Sequence, residues 1–153
     1  TYIGVTVCEE WLNFQNFAEL CDSQPFFNAK DANSKSYELD KDLLVKGNKI
    51  YSPETCCFVP HRINTLIVSS NKIRGKHPVG VTWSKGNKKF TSRLKIGGNK
   101  AKHLGYFDTS EGTFNAYKEA KETLIKEVAN EWKDRIDDKV YKALLSYKIE
   151  ITD

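Results

Sequence analysis

Residues 79–107 read VGVTWSKGNKKFTSRLKIGGNKAKHLGYF, and the middle of that stretch decides the fold. Between Lys89 and Ile96, the side chains of Phe90, Ser92, Leu94 and Ile96 alternate with Lys89, Thr91, Arg93 and Lys95. A repeat of two residues is that of a pleated strand with one face for a core and one for a partner. Val79–Trp83 before it and Lys102–Phe107 after it have the same character. They are set off by the turn-forming stretches SKGNK (84–88) and GGNK (97–100). Three short antiparallel strands are therefore expected across this region.

The chain then changes period. Asp108-Thr109-Ser110 reads as a helix cap, and Phe114, Tyr117, Ala120, Leu124, Val128 and Trp132 form one apolar stripe at helical spacing. Gly112 stands where a Glu would complete a capping box, so the cap is incomplete. A second helix is expected over 137–147, burying Val140, Leu144 and either Tyr141 or Leu145. The fold class is α+β: a three-stranded antiparallel sheet packed on a helix, preceded by a smaller mixed unit.

Charge is segregated along the chain. Residues 1–70 carry six basic and nine acidic side chains, and residues 108–153 carry eight and eleven. Residues 71–107 carry ten Lys or Arg and no Asp or Glu. The overall net charge of +4 therefore hides one concentrated positive region between mildly acidic flanks. A solvated surface normally mixes both signs, so such a region points to a polyanionic partner.

Bulk composition sets the remaining bounds. At 153 residues and 39% apolar content the chain fits one medium domain or two small ones. No run of about 18 apolar residues exists, which argues against a membrane span, and the N-terminus does not read as a signal peptide. There is no Met, so Thr1 is not expected to be the native start. Cys8, Cys21, Cys56 and Cys57 lack any C-x-x-C spacing. They read as reduced, mostly buried thiols; zinc held by Cys56, His61 and another cysteine is a weaker alternative.

The first seventy residues divide into short elements. Residues 9–21 show helical spacing at Trp11, Phe14, Phe17, Ala18 and Cys21, and residues 22–36 read as a polar loop. Tyr37–Leu39 and Ile50–Tyr51 are expected as short strands flanking the turn Lys46-Gly47-Asn48-Lys49. Ser52-Pro53-Glu54 has the pattern of a helix start, Pro60 suggests a break, and His61–Val68 is expected to resume a helix. Residues 69–78 form a basic linker, giving domains at 1–68 and 79–153, the latter including a C-terminal helical extension.

Two resemblances give these elements a functional direction. Residues 78–120 resemble the Apetala-two/ethylene-response-factor domain, through Gly80-Val81, Phe90 with Arg93, Leu104-Gly105-Tyr106-Phe107-Asp108-Thr109 and Ala116-Tyr117. The resemblance implies a helix behind a three-stranded sheet whose open face enters the major groove of double-stranded DNA. The DNA-binding residues would be Thr82, Ser84, Lys85, Lys89, Thr91, Arg93, Lys95, Lys100 and His103. Arg93 is the candidate for a bidentate guanine contact, and the lysines for phosphates. Thr82 and His103 stand where the plant domains carry Arg and Trp, so plant target sequences do not transfer.

Residues 39–64 (LDKDLLVKGNKIYSPETCCFVPHRIN) resemble the HNH, or ββα-metal, nucleases of phages, particularly the homing type. The Trp11–Cys21 segment is similar to the Trp-x-x-Phe-x-x-Phe element that precedes this motif in phage relatives. The resemblance implies a hydrolase in which Asp40 and Asn64 hold Mg2+ or Mn2+. Lys41 would occupy the position of the catalytic His, and Thr55 that of the first Asn. An ammonium is a poor general base at neutral pH, so His61 is the alternative base, and Asp42 a further carboxylate for the metal.

Two readings follow. One is a metal-dependent HNH endonuclease, nicking or cutting DNA; the other is a catalytically inactive HNH-derived regulator that binds DNA. RNA binding would suit the charge equally but not the sheet-plus-helix match. The resemblance further implies a phage-encoded protein in the cytoplasm of a bacterial host, with no membrane or protein partner.

Overall fold

The computed structural model describes residues 4–67, 76–98 and 100–153. Most of the expected linker at 69–78, and Val68 at the end of the expected helix, lie outside the described residues. The chain groups into two compact units, one of residues 1–67 with 129–146 and one of 68–128 with 147–153.

In the first unit, β1 (Thr6–Val7) is followed by a 3-10 turn over Glu9–Leu12 and then α1 (Phe14–Ser23). The single helix expected over 9–21 is thus broken at Asn13. That residue is extended (φ −86°, ψ 114°), and its side-chain oxygen accepts a hydrogen bond from the Gln15 amide at 3.0 Å. An Asn that bonds its own backbone ends one helical segment and starts the next. The break also rotates the stripe: Trp11 and Cys21 are buried while Phe14 is 70% exposed.

Three further short strands follow: β2 (Glu38–Asp40), β3 (Ile50–Tyr51) and β4 (Cys57–Val59), and then α2 (His61–Ile67). β2 and β3 do not pair across the Lys46–Lys49 turn as the spacing suggested. Instead β3 lies parallel to β1, with Thr6 opposite Ile50, and β2 lies antiparallel to β4, with Leu39 opposite Phe58. The apolar run Cys57-Phe58-Val59 is buried throughout, so pairing β2 with it builds core that the half-exposed β3 could not. Ser52 starts no helix either. Its carbonyl accepts from the Thr55 and Cys56 amides at 3.3 and 3.0 Å, a single turn that passes into β4. The helix begins beyond Pro60, whose carbonyl accepts from Ile63 and Asn64. An antiparallel pair leading directly into a short helix is the result.

The C-terminal stretch of this unit contains α4 (Asp138–Ser146), which is capped by Asp137 and buries Val140 and Leu144 as expected. Residues 129–146 group with 1–67 rather than with the sheet. The Tyr37 hydroxyl donates to the Arg135 carbonyl at 2.9 Å, and Lys139 Nζ donates to Gln24 at 3.2 Å. A division of the chain at 69–78 alone is therefore corrected.

The second unit holds β5 (Thr82–Ser84), β6 (Lys89–Gly97) and β7 (Lys100–Phe107) in the order β5-β6-β7, antiparallel throughout. It continues into α3 (Ser110–Trp132), whose last residues, from Ala129, group with the first unit. The expected alternation holds in β6: Ser92 and Leu94 are 1% and 3% exposed, whereas Lys89, Arg93 and Lys95 are exposed. Phe90 and Thr91 are both half-buried, and Ile96 is 38% exposed where the strand runs into Gly97. Thr109 caps α3, its hydroxyl oxygen accepting from the Gly112 amide at 3.0 Å.

Gly80 joins strand to helix. Its φ is +75°, and a Cβ there would lie 2.2 Å from Cγ of the Tyr117 ring. Only a residue without a side chain lets the β5 approach lie flat on α3. Four α-helices with three small sheets among the described residues make the protein α+β.

Candidate functional site

Residues directly opposite each other in adjacent strands share a face of the sheet. The register of β5-β6-β7 therefore assembles the outer face row by row. Ser84 pairs with Lys89, Thr82 with Thr91 and Thr91 with Tyr106; Arg93 pairs with His103 and Lys95 with Ala101. The register slips by one residue between Ser92 and Arg93, leaving Leu104 as a β-bulge. Gly105 beside it has φ 127°, and the slip keeps both Tyr106 and His103 on the outer face. Lys85 lies in the β5–β6 turn and Lys100 opposite Gly97 at the far end.

All nine residues expected to touch DNA thus lie on this face or at its two ends, and seven of them make up its rows. Lys102, by contrast, pairs with Leu94 and belongs to the opposite face. From Lys89 to Lys95 the strand runs about 20 Å, roughly six base-pair steps of duplex. No acidic residue occurs from 76 to 107. Asp108 follows at once and pairs with Lys89 at 2.9 Å; both side chains are exposed, so the pair leaves the lysine available to a stronger anion.

Three side chains in the middle of the face are tied together. Thr91 Oγ1 donates to the Gly105 carbonyl at 3.0 Å and lies 2.8 Å from His103 Nε2. The Tyr106 ring meets the His103 ring edge-on, centroids 4.9 Å apart, and Tyr106 is 48% exposed. Tyr106 was not among the sequence candidates, although it sits inside the Leu104–Thr109 stretch that carries the resemblance. Its alternation with the half-buried Phe107 was the available signal.

The first unit contains a second cluster. Glu38 on β2 reaches His61 and Asn64 on α2. Its carboxylate lies 2.6 Å from His61 Nδ1 and accepts a hydrogen bond from the Asn64 side-chain amide. The Asn64 amide above all holds the Glu38 carboxyl below its ordinary range, with a further contribution from His61. Glu38 was not among the sequence candidates, since 23 and 26 residues separate it from its partners.

The other candidates have local roles. Asp40 is 7% exposed, and its Oδ1 accepts from the Asp42 and Leu43 amides at 3.0 and 2.7 Å. Burial pushes its carboxyl up despite those bonds. Lys41 pairs with Asp42 at 3.3 Å and lies over the Tyr51 ring. The Thr55 hydroxyl donates to the Ile50 carbonyl at 3.0 Å, fastening the turn.

A hard divalent cation takes six or more oxygen ligands. Asp40 Oδ1 accepts from two backbone amides, and the Asn64 side-chain amide donates to Glu38. Among the described residues no group of three His, Cys, Asp or Glu side chains is arranged to hold a metal. Cys8, Cys21, Cys56 and Cys57 are free thiols, and burial pushes Cys57 up to about 12. No described helix is long and apolar enough to cross a membrane. No protein-family model matches the chain, and neither a curated protein nor a solved structure matches it.

Proposed function

We propose that this chain binds double-stranded DNA through the outer face of β5-β6-β7. The observation that carries the reading is the row in which Arg93 stands opposite His103, flanked by Lys89 and Lys95, with no acidic residue between 76 and 107. A two-stranded ribbon fits the major groove, where Arg meets guanine O6 and N7 while Lys and Thr meet phosphates. Fluorescence anisotropy with a labelled duplex tests it. Joint Arg93→Ala and Lys95→Ala substitution should abolish binding at physiological salt, and unchanged binding would reject the face.

For the first unit one reading is a DNA-binding regulator built on a nuclease-like scaffold, with Asp40 bonding a turn and the Asn64 amide bonding Glu38. A second reading, metal-dependent endonuclease activity of the HNH kind, draws on the Glu38–His61–Asn64 cluster, which orients His61 with a carboxylate behind its ring. Supercoiled plasmid incubated with Mg2+ or Mn2+ separates the two. Nicking that is lost in His61→Ala would establish the enzyme; intact plasmid would establish the regulator.

A further inference from the structure

The outer face carries, beside the arginine, a side chain able to accept a hydrogen bond from a base, and the hydrogen-bond geometry says which atom does so. A threonine hydroxyl has a single proton. Thr91 gives that proton to the Gly105 carbonyl at 3.0 Å. The 2.8 Å contact between Thr91 Oγ1 and His103 Nε2 must then be made by an imidazole N–H donating to the hydroxyl oxygen. A neutral imidazole with its proton on Nε2 has a lone pair on Nδ1, which makes Nδ1 an acceptor. The Tyr106 ring, edge-on to His103 at 4.9 Å, braces the imidazole further.

We propose that His103 reads the exocyclic amino group of a DNA base through Nδ1, next to the base contacted by Arg93, with Thr91 as the positioning residue that fixes the ring. The inference rests on the reading of this face as the DNA-binding surface. Its chemistry is selective. In the major groove only cytosine N4 and adenine N6 offer donors, whereas guanine offers acceptors alone. Arg93 can only donate, so it takes guanine. His103, directly opposite Arg93 in the register, supplies the acceptor that arginine and lysine lack. Their Cα atoms are about 5 Å apart in such a pair, so the two heads reach the same base pair or neighbouring ones. Tyr106, half-exposed beside them, walls the position on the side of Thr91.

The test uses the full chain at pH 8. A preferred duplex is selected from a random pool with the parent protein, and each base pair of the site is then varied singly. His103→Ala should lower discrimination at one pair by about three- to tenfold, the worth of one hydrogen bond, with the salt slope unchanged. Thr91→Val should do the same, and Thr91→Ser, which keeps the hydroxyl, should restore it. Replacing the contacted cytosine by 2-pyrimidinone, or adenine by purine, removes the amino group and should erase the difference between parent and His103→Ala. Nitrogen-15 NMR should find the His103 proton on Nε2 in the parent and shared between both nitrogens in Thr91→Val.

The proposal is overturned if the proton is on Nδ1, if the parent shows no base preference, or if His103→Ala and Thr91→Val discriminate as the parent does. Should joint Arg93→Ala and Lys95→Ala substitution also leave affinity intact, the face itself is not the DNA surface. That outcome is a different failure, recognisable as such.

Discussion

Replacing Gly80 by alanine probes the joint on which the second unit depends. The new Cβ would lie 2.2, 2.3 and 2.6 Å from Cγ, Cδ2 and Cδ1 of Tyr117, against the 3.5–4.0 Å or so at which carbon atoms rest. The ring must therefore give way by more than an ångström, or the β5 approach must lift from α3. Overpacking of this kind costs about 1–3 kcal/mol. The backbone adds its own penalty, because φ +75° is a left-handed conformation that costs an L-residue about 1–2 kcal/mol. Together the loss is about 2–5 kcal/mol, a large part of the stability of a small domain. Hydrogen exchange of the Ser92 and Leu94 amides reports this unit specifically. Both should exchange faster in Gly80→Ala by the corresponding factor. In a Tyr117→Ala background the same change should cost only the backbone share. Protection within about 0.5 kcal/mol of the parent would refute the packing argument.

Other perturbations have equally definite outcomes. Asp40→Asn keeps an oxygen for the Asp42 and Leu43 amides while removing a carboxyl that burial has raised. A raised folded-state value means stability is full below the unfolded value, near 3.8, and falls as pH rises through the folded one. Urea denaturation should therefore find Asp40→Asn matching the parent at pH 3 and exceeding it at pH 7. Asp40→Ala should lose about 1–3 kcal/mol through the orphaned amides. Ser92 Oγ is buried without a hydrogen-bond partner, so Ser92→Ala should stabilise by about 1 kcal/mol in the same assay, and a loss of that size would reveal a missed partner. In binding titrations Arg93→Ala should cost about 1–3 kcal/mol and relax preference at one base pair, whereas Lys95→Ala should weaken all sequences alike.

The second unit was legible because its elements are long enough to show a period. The eight residues from Lys89 to Ile96 display their two faces directly, and Thr109 followed by the α3 stripe marks a capped helix. Even there the phase was inexact: Ile125, not Leu124, is fully buried, since adjacent apolar residues on a helix leave the choice to whatever packs against them. The first unit was less legible because strands of two or three residues have no measurable period. β2 met β4 rather than β3 for the burial that Phe58 and Val59 provide, a long-range gain that no local pattern reports. Glu38 stayed hidden for the same reason, its partners arriving from a different element. The Asp40 turn was foreseeable, because an Asp at a strand end commonly bonds the next amides.

The central claim, that the sheet face meets a DNA backbone, is tested most directly by the salt dependence of duplex binding. Of the basic residues described from 76 to 107, Lys102 faces the other side and Arg93 is assigned to a base, leaving Lys76, Lys85, Lys88, Lys89, Lys95 and Lys100 for phosphates. With about four to six phosphate contacts from these, log Kobs should fall against log salt with a slope of roughly −4 to −5. Replacing Lys89, Lys95 and Lys100 by alanine together should flatten that slope by about two to three. A parent slope near zero, or one that the triple substitution leaves unchanged, would contradict the account.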